Sequence, residues 1–312
     1  MTNPRQWLNR SSIGGALFWL VALGLWWQRP PDLLATVALL LLLAILVNTP
    51  LALSLIPKAE MQGRWYGWAL WVQPFAALAV AWTLAGTSPR LLTILLTVPW
   101  LLFAGLLALN ALTRLPRWRQ LPVSARVRLV AMLYLPIGAA WLAAYVLNLQ
   151  PLGFTGVIVL LTAVHFHFTG FAAMIWVSRI GETLAQPHRL YSWAASGFAI
   201  ATPVIAIGIT LSPLLEILGV ILLATSLIGL ATLVYRHVLP MVTNPWAKVL
   251  LSIAPLAMVA ALALAVTYGV GEYRQAPLLT IPQMVQWHGW LNAVGFTLLG
   301  LLGWKLSSTL YE

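Results

Sequence analysis

The sequence predicts an all-α fold, a polytopic transmembrane helical bundle of about ten spans with both termini on the cytoplasmic side. The first observation behind this is composition: 61% of the 312 residues are hydrophobic, 7% are charged and the mean hydropathy is +0.91. A soluble domain carries about a quarter charged residues. The second is recurrence, since apolar runs of roughly 20 residues repeat from Ser11 onwards, separated by short clusters of Arg, Lys, Pro or Gly. The third is the placement of a net charge of +11.

The expected helices are 12–28, 32–56, 65–86, 90–112, 127–149, 152–178, 190–211, 213–236, 247–270 and 281–306. Pro30, Pro31, Pro151, Pro213 and Pro282 stand at helix starts, where a missing N–H does no harm. Pro74, Pro99, Pro136, Pro203 and Pro255 fall inside spans, where neighbouring helices satisfy the carbonyls they free. Ile13–Trp27 has the length of a signal-peptide core, but Gln28-Arg29-Pro30-Pro31 offers no small-residue cleavage site, so it is read as a retained first helix. Only Leu211-Ser212-Pro213 joins two of the helices, which predicts a tight antiparallel hairpin. The whole of 1–312 reads as a single transmembrane helical domain.

With ten spans and the N-terminus inside, the outer side keeps only Arg29, Arg90 and Arg274 of the 17 basic residues. Missing one central span would move every later loop to the other side and destroy that asymmetry. Trp26, Trp27, Trp65, Trp118, Trp246 and Trp304 at span ends fit an interfacial aromatic belt. The basic loop from Arg114 to Arg128 reads as an anchor on anionic headgroups. No Gly/Arg-rich tail or soluble basic domain is present to hold nucleic acid, so the expected partner is the lipid bilayer. Without cysteine, disulfides, thiolate zinc and iron–sulfur ligation are excluded.

The chemistry concentrates in two stretches. Thr162-Ala163-Val164-His165-Phe166-His167-Phe168-Thr169-Gly170-Phe171 places two histidines roughly 20 Å into a span, near the bilayer midplane. An ionisable residue at that depth costs several kcal/mol unless paired or hydrated, and is a default site hypothesis. Positions two apart on a regular helix point about 200° from one another, so one undistorted turn does not give both rings to one metal. Either the histidines serve different faces or Thr169-Gly170 loosens the turn.

The second stretch is Gln286-Trp287-His288-Gly289-Trp290-Leu291-Asn292-Ala293-Val294-Gly295-Phe296. His288 and Asn292, four apart, share a face, and Gly289 and Gly295 permit close approach of a helix or ligand. The expected ligand-binding residues are His165, His167, His288, Asn292 and Glu216, with His165 brought to the cavity of His288; the three histidines are also the candidate metal ligands. Glu216, in the first turn after Pro213, suits a cap as well as a site. Glu60 and Glu182 are expected in surface pairs with Arg64 or Arg179, and His188 and His237 in solvated inner loops. Asn48 and Gln73 are intramembrane amides suited to helix–helix hydrogen bonds. Each histidine also has a purely structural reading, as a donor to a carbonyl of a neighbouring helix. No His-x-x-x-His, His-Glu-x-x-His, P-loop or Gly-x-Gly-x-x-Gly pattern occurs.

At His165-Phe166-His167-Phe168-Thr169-Gly170-Phe171 and at His288-Gly289-Trp290-Leu291-Asn292-Ala293-Val294-Gly295-Phe296 the sequence resembles the YndJ-like family of bacterial multi-pass membrane proteins, with Thr169 where Ala is expected. The resemblance implies a bacterial cytoplasmic membrane protein in which the two elements act as one site, and it supplies no substrate. Two functions are therefore expected. One is a transporter-like or small-molecule-binding protein, because histidine titrates near neutrality and can couple a proton to a solute. The other is a membrane enzyme or redox protein whose histidines hold a metal or haem, or act as acid and base on a lipid-soluble substrate such as a quinone or isoprenoid.

Overall fold

A computed structural model describes residues 3–28, 30, 32–86 and 89–307. Arg29 and Pro31, assigned above to an outer loop and a helix start, lie outside the described residues. Nine described helices are long and apolar enough to cross a membrane: α1 (Pro4–Trp27), α2 (Leu33–Ser54), α3 (Arg64–Leu84), α4 (Arg90–Leu112), α5 (Val123–Val146), α6 (Gly156–Thr183), α7 (Arg189–Leu211), α8 (Pro213–Met241) and α9 (Pro245–Tyr273). A tenth helical stretch, α10 (281–306), is continuous but changes between α and π geometry. No strand occurs among the described residues. The chain is an all-α polytopic membrane protein, with a helix at each of the ten expected places.

The ends differ where local polar groups rather than apolar runs set them. α1 begins eight residues before the expected start, because Asn3 caps it by accepting from the Arg5 N–H at 3.1 Å and Pro4 opens the first turn. α6 begins four residues late, because Leu152 and Gly153 adopt φ of 56° and 81°, which a right-handed helix does not contain. Asn244 caps α9 through the N–H groups of Trp246 and Ala247, and Thr280 and Gln283 form a capping box at the start of α10.

Contacts divide the chain into two compact units. The first comprises the described residues up to Leu121 together with Leu129–Ile175. Within it α3 packs along α4, and α1 along α2, where Trp19 donates to the Leu39 carbonyl at 2.9 Å. A Cβ on Gly15 would stand 2.0 Å from the Leu46 carbonyl oxygen, so glycine is what permits this approach. The second unit comprises Pro122–Arg128 and the chain from Trp176 onwards. Here α7 and α8 form the expected hairpin around Ser212, α8 packs on α9, and α9 on α10. Gly208 faces the backbone of Glu216, and Gly219 faces the side chain and backbone nitrogen of Ile205, which lets the two hairpin arms approach closely.

Candidate functional site

In the first unit, α6 is α-helical through His167 and turns to π geometry over Phe168–Ala172. The two histidines diverge, with His165 exposed and His167 fully buried. His167 Nδ1 lies 2.7 Å from the Ala163 carbonyl oxygen, and Trp100 Nε1 donates to His167 Nε2 at 2.9 Å. A carbonyl only accepts and an indole N–H only donates, so the proton sits on Nδ1 and the ring is neutral. Its two partners occupy both nitrogens, the Trp100 ring stacks on it at 5.7 Å, and a Cβ on Gly138 would stand 2.8 Å from Nδ1. His165 Nδ1 likewise meets the Leu161 carbonyl, at 2.7 Å. Its Nε2 keeps an unshared lone pair on an exposed ring.

The second unit repeats this wiring. His288 Nδ1 reaches the Ala261 carbonyl of α9 at 2.8 Å, and Asn292 Nδ2 meets His288 Nε2 at 3.0 Å. The same amide nitrogen donates to the His288 carbonyl at 3.2 Å. Both residues are half-buried. Thus His288 and Asn292 are brought together as their four-residue spacing predicts. Phe296, which ends the same element, meets Trp176 edge-on at 5.0 Å. Glu216 lies in the first turn of α8, with its backbone nitrogen and Cα against Gly208 of α7.

Side chains of both histidine elements bond to carbonyls of their own helices beside the π segments. Asn292 takes the His288 carbonyl inside the π segments Val285–Gly289 and Leu291–Leu298, while His165 and His167 take those of Leu161 and Ala163 just ahead of Phe168–Ala172. Such segments recur at functional sites.

Other parts of the expected site are corrected. Glu182 pairs with Arg179 as well as with Arg128, but not on the surface: the two arginines are 6% and 3% exposed. His188 is half-buried rather than solvated, its Nδ1 is buried without a partner, and its ring lies 5.2 Å from that of the exposed His237. Trp100 was not anticipated as a partner of His167; a tryptophan in mid-span, far from the interface, needs an acceptor for its N–H and is the signal that would have found it. Among the described residues no three His, Asp or Glu side chains converge on a point that could hold a metal ion.

A helical membrane protein with a π segment beside or within each of its two mid-span histidine elements is thus defined by the geometry. The chain belongs to the YndJ-like protein family, whose model matches residues 39–296 and includes both histidine elements. It is 31% identical over 207 residues to a Bacillus subtilis (strain 168) protein described as "Uncharacterized membrane protein YndJ", a match covering 66% of this chain and 37% of that protein. The matched part is therefore little more than a third of that relative's length. No solved structure matches.

Proposed function

We propose that the chain is a transporter-like, small-molecule-binding membrane protein whose binding groups are drawn from His165, His167, His288, Asn292 and Glu216. The observation that carries this reading is the departure from α geometry at both histidine elements, Phe168–Ala172 in α6 and 285–298 in α10. Short π segments inside α-helices appear frequently at functional sites. His165 is the reactive member, because its Nε2 lone pair is uncommitted, while His167 and His288 are held neutral by their two bonds and fix the backbone around them. Both termini face the cytoplasm of a bacterial cell in this reading, as the placement of basic residues requires.

Purified protein in liposomes loaded with a pH-sensitive dye tests it. Under an imposed membrane potential, proton entry should exceed that of empty liposomes and fall to their level with His165→Ala. Equal rates for protein-containing and empty liposomes would remove the proton-coupled reading. A second reading, a redox or metal-dependent membrane enzyme acting on a lipid-soluble substrate, draws on the same free nitrogen of His165. A Soret band or stoichiometric metal that disappears in His165→Ala would put it in first place.

A further inference from the structure

Asn48 is fully buried in α2, and neither its Oδ1 nor its Nδ2 has a hydrogen-bond partner. Burying a carboxamide unpaired costs free energy for both its donor and its acceptor, and in a span no bulk water is at hand to relieve it. The surroundings are not short of polar groups. Thr49 Oγ1 donates to the Ala44 carbonyl at 2.8 Å, Gln73 Nε2 to the Ile45 carbonyl at 3.4 Å, and Ser12 Oγ to the Val47 carbonyl at 3.4 Å. Ser11 Oγ in turn donates to Gln73 Oε1 at 2.7 Å. The backbone oxygens around Asn48 are therefore matched while the amide between them is left open.

Asn48 also closes a π segment, Ala44–Asn48, and that segment packs against the π segment Phe168–Ala172 of α6 within the same unit. Two packed departures from α geometry beside an open buried amide leave a donor and an acceptor to offer at their junction. Every side chain bonding in this cluster is neutral, so a charged guest would meet no counter-charge. From this juxtaposition we infer that Asn48 binds a small uncharged molecule between the π segments of α2 and α6. The guest donates to Oδ1 and accepts from Nδ2, which is hydroxyl chemistry, supplied by an internal water or by the hydroxyl of a small solute. This site needs neither His165 nor proton coupling, so it stands apart from the transport reading.

A high-resolution experimental map of the wild-type protein in lipid nanodiscs is the direct test. A non-protein feature within hydrogen-bond distance of both amide atoms is expected; a single sphere identifies water and an extended feature a solute. Asn48→Leu provides the second measurement, as it keeps the volume and removes both polar atoms. Loss of a bound guest lowers the unfolding midpoint by about 2–4 °C. A dry amide in the wild-type map, or a leucine variant more stable than wild type, overturns the inference.

Discussion

His167 has one ring proton, and its neighbours fix where that proton is. With Nδ1–H on the Ala163 carbonyl and the Trp100 N–H on Nε2, any added proton would have to displace the tryptophan bond. Trp100→Phe keeps a ring in the stack but strips Nε2 of its only donor, and an unpaired buried acceptor costs about 1–3 kcal/mol. Unfolding in detergent should register that loss, and Trp100→Phe combined with His167→Leu should cost less than the sum of the two single changes, because the orphaned acceptor is gone. Glu182 is a second residue whose removal should be felt well beyond its own contacts. Glu182→Gln leaves the buried guanidinium groups of Arg128 and Arg179 without their shared carboxylate, and breaking a buried pair costs about 3–5 kcal/mol. A thermal midpoint equal to that of wild type would mean the triad is solvated after all.

At the scale of the element, the ten helices were legible because a span needs some 20 apolar residues, and a pattern that long survives errors at its ends. The ends themselves were not legible where Asn3, Leu152 or Asn244 decided them, since these residues lie outside the apolar runs. The π segments escaped for a different reason: hydropathy carries no information about helical phase. Mid-span His, Asn and Thr side chains that bond to helix carbonyls lie beside these segments, a feature that hydropathy does not register. The buried Arg128–Glu182–Arg179 cluster escaped because charges at span ends normally reach water. In the α7–α8 hairpin, a Cβ on Gly208 would lie 2.3 Å from the Glu216 nitrogen. Gly208→Ala should therefore cost about 1–3 kcal/mol through overpacking. Gly67→Ala in α3 is the control: nothing lies within 4 Å of that position, so relief of glycine's entropy should stabilise the helix by about 0.5–1 kcal/mol.

For the whole molecule, the absence of cysteine makes the orientation open to a clean measurement. A single cysteine at Arg274, just beyond α9, should react with an impermeant maleimide in intact cells, and one at Arg117, between α4 and α5, only after permeabilisation. The reverse pattern would invert the protein in its membrane and move the basic loops outside. The single residue between α7 and α8 bears on how the protein is made. Ser212 spans about 3.5 Å, so once both helices are formed their ends stay adjacent. The two are therefore expected to settle in the bilayer as one hairpin, and a chain cut after α7 should resist alkaline extraction from membranes less well than one cut after α8.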